Sequence, residues 1–138
     1  MKIKALPSSF SKHPLLREAL LTDFPDAVFN DEGRKYTKAE LIDYLCDADG
    51  VVLGLETVDD EVLAACPDLK IVSKFGVGLD SLDQQACAKR GIAVGWTGGV
   101  NKRSVAEMDL GFMLSLARNL YPASLDLKAG EWNRNGGL

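Results

Sequence analysis

Imidazole is nearly missing from this chain: His13 is its one histidine. It precedes Pro14 at the start of a helical pattern and reads as a structural or surface residue, because a catalytic imidazole needs a site built around it. Cysteine is also sparse. Cys46, Cys66 and Cys87 are far apart, odd in number and outside any CxxC spacing. No disulfide framework and no metal site follows, and the three read as reduced core thiols. No stretch approaches the roughly 18 uninterrupted apolar residues of a membrane span. Met1–Pro7 holds two lysines and only a short apolar run, which does not make a signal peptide, so a cytoplasmic protein is expected. Basic runs are missing as well, and the formal charge is −4. Nucleic acid and anionic membrane are therefore not expected as partners.

What is present suits one globular domain: 138 residues, 46% hydrophobic and 26% charged. Five β-rich runs recur at Ile3–Leu6, Ala27–Asn30, Gly50–Leu55, Lys70–Phe75 and Ile92–Trp96. A helical pattern fills each gap. Leu15, Leu16, Ala19 and Leu20 form one apolar face. Leu41, Ile42 and Leu45 form another, behind a capping box at Thr37 and Glu40. Val62 and Leu63 belong to a third helix that stops at Cys66-Pro67. Leu82 and Ala86 belong to a fourth, opened by Asp80 or Ser81 and closed by Gly91. The continuous runs Val51-Val52-Leu53 and Ile71-Val72 fit strands covered on both faces. Alternating β and α elements give an α/β fold, a flavodoxin-like five-stranded parallel sheet flanked by helices. A long helix follows from about Asn101 to Leu120, with a second capping-box pattern at Ser104 and Glu107. It is apolar on nearly all sides, so it needs burial all round. A homodimer is expected, with the 104–120 helix exchanged between chains as one way to bury it.

Glycine is unevenly spread: three of the 13 fall in the first 74 residues and ten in the remainder. Lys74-Phe-Gly76-Val-Gly78-Leu-Asp-Ser81 follows a strand and precedes a helix as GxGxxS, one residue short of a dinucleotide fingerprint. Ser81 stands where that fingerprint needs a third glycine, and Gly95-Trp96-Thr97 ends the next strand without the acid that grips a ribose. A plain glycine turn remains a second reading. The third reading fits better: the N–H groups of Val77 and Gly78 point at one anion, aided by the helix N-terminus, with Lys74 beside them. Such a loop suits a small organic acid.

Ser73-Lys-Phe-Gly-Val-Gly-Leu-Asp-Ser-Leu-Asp83 resembles a signature segment of the D-isomer-specific 2-hydroxyacid dehydrogenases, the family that includes phosphoglycerate dehydrogenases. Gly91-Ile-Ala-Val94, Thr97-Gly-Gly-Val-Asn-Lys-Arg-Ser-Val-Ala-Glu107 and Lys128-Ala-Gly-Glu-Trp132 resemble its later motifs in the same order. The resemblance implies a two-domain enzyme that moves hydride between NAD or NADP and a small D-2-hydroxy acid or its 2-keto form. Residues 1–100 would be the flavodoxin-like substrate-binding domain. Residues 101–138 would be an interdomain helix and a linker, Gly136 and Gly137 included, towards a Rossmann domain absent from this chain. By the same resemblance, Lys74, Gly76, Val77 and Gly78 bind the substrate, while Asn101, Ser104, Val105 and Glu107 lie at the cofactor cleft. The family's catalytic arginine, glutamate and histidine come later, so this chain carries no catalytic residue and alone is expected to be inactive. Two departures stand out. Gly98 replaces a usual proline, and Leu53-Gly-Leu-Glu56 offers an acid where phosphoglycerate enzymes often carry an arginine. A non-catalytic module for small organic anions is the alternative. A phosphoacceptor receiver is disfavoured, because Pro7-Ser-Ser and Leu55-Glu56 stand where its acids belong.

Overall fold

Val51, Val52 and Leu53 are apolar and β-branched or bulky, and they form the middle strand of a parallel sheet. The computed structural model describes residues 1–134; Gly136 and Gly137 of the expected linker lie outside the described residues. Five strands, β1 (Ile3–Ala5), β2 (Val28–Phe29), β3 (Gly50–Leu53), β4 (Ile71–Lys74) and β5 (Ala93–Gly95), pair in the order β2-β1-β3-β4-β5. All four pairings are parallel, and the register aligns Ile3, Gly50, Ile71 and Ala93 across the sheet. This is the flavodoxin-like order, with its topological switch between β1 and β3. Gly50 is required in that row: a Cβ there would lie 2.8 Å from Ile3 Cδ1 and 2.9 Å from Ile71 Cγ2.

Among the described residues seven helices accompany the strands: α1 (Ser8–Ser11), α2 (Pro14–Asp23), α3 (Lys38–Leu45), α4 (Asp60–Ala65), α5 (Gln84–Arg90), α6 (Lys102–Ala117) and α7 (Leu120–Lys128). The larger core packs Leu41 and Leu45 of α3, Val62 and Leu63 of α4, and Ala86 and Cys87 of α5 against Leu6, Val51, Leu53 and Val72. The smaller core, on the other face, joins Ile3, Ala5 and Val52 to Phe10, Leu20 and Phe24. The α2 face is looser than its pattern implies: Leu15 is 70% exposed, Ala19 is exposed, and none of the helix is buried. Coverage is uneven along the sheet too. β3 is buried throughout, whereas Ser73 and Ala93 are exposed. Of the two runs expected to be covered on both faces, Ile71-Val72 is fully buried only at Val72, while Ile71 is half-buried.

Local signals set the ends of most elements. Thr37 and Glu40 form the full reciprocal capping box at α3. Cys66 ends α4 and left-handed Gly91 (φ 69°) ends α5. Two helix assignments change. α5 starts at Gln84 with Asp83 as its N-cap, so neither Asp80 nor Ser81 opens it and Leu82 lies outside it. The segment 101–120 is not one helix: α6 stops at Ala117, and Asn119 adopts a left-handed φ of 52° before α7. Ser104 and Glu107 form no capping box, because Asn101 is the N-cap position and Glu107 instead pairs with Arg103 Nε at 2.8 Å. Cys66 and Cys87 are buried, and burial pushes both thiols upward. Cys46 is exposed at the end of α3 rather than in the core. The chain divides into two compact units after Gly98. In the second unit α6 has no buried residue, and Met108, Phe112 and Met113 are all at least 60% exposed.

Lys4 is the charge that the first unit must accommodate, since it is 7% exposed on β1. Its ammonium donates to the Tyr44 carbonyl and to Asp47 Oδ1, the latter at 2.5 Å, and lies 4.7 Å over the Tyr44 ring. Bonds from Lys2 and then Lys4 hold the Asp47 carboxyl down at about 2. An unfolded aspartate titrates near 3.9. The stabilisation is therefore complete above about pH 4 and is lost as pH falls towards 2. Thermal melts from pH 7 to 2 should show Tm falling steeply below pH 4. Asp47→Asn should be less stable at pH 7, with Lys4 left without its counter-charge, and should show a flatter acid limb.

Candidate functional site

The loop after β4 is assembled by backbone bonds from its neighbours. Phe75 N–H extends the ladder one step by donating to Leu53 C=O at 2.8 Å. Gly76 then turns the chain at φ 134°, a conformation that side chains rarely adopt. Further on, Val58 N–H donates to Ser81 C=O at 2.7 Å and Asp83 N–H donates to Val58 C=O at 2.9 Å, around a bridge between Val58 and buried Leu82. Both ends of the loop are thus tied to the segment that follows β3.

Between those ties, Lys74, Gly76, Val77 and Gly78 line one hollow of about 160 Å³, together with Asp80 and Ser81. The four residues assigned to substrate binding are therefore brought together. The Lys74 ammonium donates to Gly54 C=O and to Ser81 Oγ, the latter at 3.0 Å. An ammonium has three donors, so one remains. Among the described residues, the N–H groups of Val77 and Gly78 donate to no protein acceptor. Gly78 allows a close approach of its own loop: a Cβ there would meet Asp80 Oδ2 at 3.0 Å. Asp80 is the opposing charge in this hollow, and Lys74 makes no ion pair with it.

Two features differ from the reading of the sequence. The N-terminus of α5 adds nothing to the loop, because Asp83 occupies it and accepts from Ala86 N–H at 2.9 Å. That carboxylate also stands where a dinucleotide fingerprint would place a pyrophosphate, and repels one. This loop does not fit NAD. The second feature is Trp96, whose indole Nε1–H donates to Val77 C=O at 3.0 Å. A trans peptide holds C=O and the following N–H on opposite sides, so this bond also fixes the direction of Gly78 N–H. Trp96 explains Gly98: a Cβ there would lie 2.7 Å from the indole Cη2. Proline would collide in the same way. No pattern in the sequence marks Trp96 as part of the loop; the signal was the glycine two residues on.

A second, larger hollow of about 370 Å³ lies at the β1/β3 switch point and shares Leu55 and Phe75 with the first. Its walls include Ser8, Ser9, Asn30, Arg34, Lys35 and Glu56. The remaining assigned residues, Asn101, Ser104, Val105 and Glu107, are all exposed at the start of α6 in the second unit. His13 is exposed at the N-cap of α2 and lines neither hollow.

Residues 9–111 match the family model described as D-isomer specific 2-hydroxyacid dehydrogenase, catalytic domain. The chain is 39% identical over 99 residues to a D-3-phosphoglycerate dehydrogenase of Methanocaldococcus jannaschii, covering 71% of this chain and 19% of that protein. It is 37% identical over 98 residues to a hydroxypyruvate reductase of Thermotoga maritima, covering 70% of this chain and 32% of that protein. The chain thus spans about a fifth to a third of the length of these curated relatives. Among solved structures, the NAD+-bound 3-phosphoglycerate dehydrogenase of Entamoeba histolytica superposes with a TM-score of 0.68 at 27% identity, covering 85% of this chain and 39% of that one.

Trp96→Phe keeps the ring and removes the donor. It should lower global stability by under about 1 kcal/mol in urea melts, since the freed Val77 carbonyl is open to water. NMR order parameters at Val77 and Gly78 should fall from the rigid range near about 0.85 towards about 0.6. Gly98→Ala should loosen the same loop by displacing the indole.

Proposed function

Since this chain belongs to the D-isomer specific 2-hydroxyacid dehydrogenase family, we propose that it is the part that grips the substrate of an NAD(P)-dependent oxidoreductase acting on a small D-2-hydroxy acid. The observation that carries the reading is the pair of unpartnered N–H groups at Val77 and Gly78, the second of them held in direction by Trp96. A carboxylate has two oxygens and no hydrogen to donate, so it needs such converging donors. The third Lys74 donor completes the set and can reach the same oxygens or the C2 oxygen. Gly76 makes the turn that leads into these two amides. Orientation of the acid, rather than proton or hydride chemistry, is what these residues supply.

The nicotinamide would be the hydride carrier. Its dinucleotide is held outside the Gly76–Ser81 loop, which the Asp83 carboxylate and the absence of a third glycine make unsuitable. Asn101, Ser104, Val105 and Glu107 are proposed to face that cofactor across the start of α6. In this reading residues 1–100 form the substrate domain, and residues 101–138 form an interdomain helix and linker towards a nucleotide-binding domain. The exposed apolar side chains of α6 support burial against another surface. For the chain by itself the proposed surface is a second copy, in a cytoplasmic homodimer.

Oxalate resembles a 2-keto acid and is not reduced, so it is a suitable first probe. In a 15N-labelled chain it should shift the amides of Gly76, Val77 and Gly78, and Lys74→Met should weaken binding about tenfold. Oxalate binding that leaves these amides unmoved would sink the reading. The purified chain should give no NADH oxidation with glyoxylate, hydroxypyruvate or 2-ketoglutarate. Sedimentation at high micromolar concentration should show a dimer; a strictly monomeric profile would count against the proposed partner.

A further inference from the structure

Crossover direction leaves one face of the sheet short of a helix. Five strands at a spacing of about 4.8 Å make a surface roughly 20 Å wide, and a helix covers about 10 Å of it. Each face thus needs two helices. The face that holds Leu6, Val51, Leu53 and Val72 has three, α3, α4 and α5. The opposite face, with Ile3, Val52 and Phe29, has α2 and the short α1. Right-handed crossovers explain the difference: the connection from β1 to β2 passes on that side, and the three that follow all pass on the other. Ile71, Ser73, Ala93 and Gly95 therefore receive no helix from the connections between strands, and Ser73 and Ala93 are exposed.

What remains there is an apolar groove of about 360 Å³ along β3 and β4, lined by Ile3, Phe10, Leu20, Phe24, Val52 and Ile71 among others. Lys74 is the one ionisable side chain on its lining, and that ammonium bonds to Gly54 C=O and Ser81 Oγ. Small residues continue the floor past β4, since the register sets Ala93 beside Ile71 and Gly95 beside Ser73. A helix can approach such a floor closely. The element that follows β5 in the chain is α6, and it has the opposite need. Val105, Met108, Phe112 and Leu116 recur at helical spacing in one stripe and are 49% to 81% exposed. Asp109 stands at the border of that stripe, where it can stay in water.

We propose that this groove is the docking site for α6 of a second copy, with the Val105–Leu116 stripe laid over Ile71, Ser73, Ala93 and Gly95, and that the exchange is reciprocal. This rests on the homodimer reading above and names the surface that carries it. Strand order supports the pairing, because a helix after β5 is the element left to cover that face. Two copies that exchange equivalent helices close a two-fold pair rather than a filament. A 16-residue helix is about 24 Å long. Laid once in each copy's groove, it buries on the order of 1,500 Å² in total, the size of a stable interface. Phe75 lines both this groove and the hollow of Val77 and Gly78, so the docked helix lies next to the substrate loop.

The test mixes the 138-residue chain carrying 13C-labelled methyl groups with an equal amount of unlabelled chain. Isotope-filtered NOE spectra then report contacts between copies alone. The Ile71 and Ala93 methyls of one copy should show NOEs to the Phe112 ring and the Met108 side chain of the other. The second arm is Ala93→Arg, at a residue that is exposed and outside either core. It puts a charge on the groove floor in both contacts of the pair and should raise the dimer dissociation constant by about a hundredfold or more in sedimentation. A dimer without cross-copy NOEs from Ile71 and Ala93, or one whose affinity Ala93→Arg leaves unchanged, overturns the groove and leaves the homodimer standing. A wild type that stays monomeric at high micromolar concentration overturns both and leaves this face to a different polypeptide. Should the variant fail to fold, the NOE arm decides alone, since it uses the unaltered sequence.

Discussion

The crevice hangs from the end of β3. This strand is buried along its whole length and paired on both sides, so its position is fixed by the sheet and not by the loops. Its last carbonyls then hold what lies beyond. Leu53 C=O takes Phe75 N–H, and Gly54 C=O takes the Lys74 ammonium. The segment after it, at Val58, exchanges two backbone bonds with residues 81–83. A parallel sheet sends all its carboxyl ends to one side, and here the central strand sets the height at which the neighbouring loops must start. The loop after β4 is therefore tied at both ends although it is glycine-rich in the middle.

The position of the larger hollow follows from the same geometry. β1 and β3 send their connections to opposite faces, and the gap that opens between them is floored by the Pro7 and Gly54 backbones. Gly54 has no room for a side chain, since a Cβ would sit 2.9 Å from Pro7 Cγ. The loop after β2 is tied to β1 by Asn30, whose side chain donates to Leu6 C=O and whose N–H donates to Ala5 C=O. Two hollows with different lining thus share Leu55 and Phe75 at the carboxyl ends of the strands.

Much of this was legible from residues, and the limits have physical causes. The five strands, the Thr37–Glu40 capping box and the Gly91 terminus rest on interactions within a few residues, which spacing reveals. The grouping of Lys74 with Gly76, Val77 and Gly78 was legible for the same reason. The start of α5 was misread because Asp80, Ser81 and Asp83 are all good caps, and the choice among them is made by the long-range bridge from Val58 to Leu82. The break at Asn119 was missed because an apolar run gives no warning of one left-handed residue. Coverage of Ile71-Val72 was overestimated, since an apolar pair says nothing about whether a helix lies over both of its faces. Trp96 meets its surroundings only through the fold, so nothing in its local sequence marks it.

The bond from Trp96 to the Val77 carbonyl gives the molecule an optical handle. Indole emission responds to the polarity around its ring and to the partner of its N–H, and this ring is 47% exposed. The chain has only one other tryptophan, Trp132, in the second unit. With Trp132 replaced by phenylalanine, the colour of the remaining emission would track the loop after β4 without any attached dye. Structural economy in one side chain thereby makes the state of that loop readable in a fluorimeter.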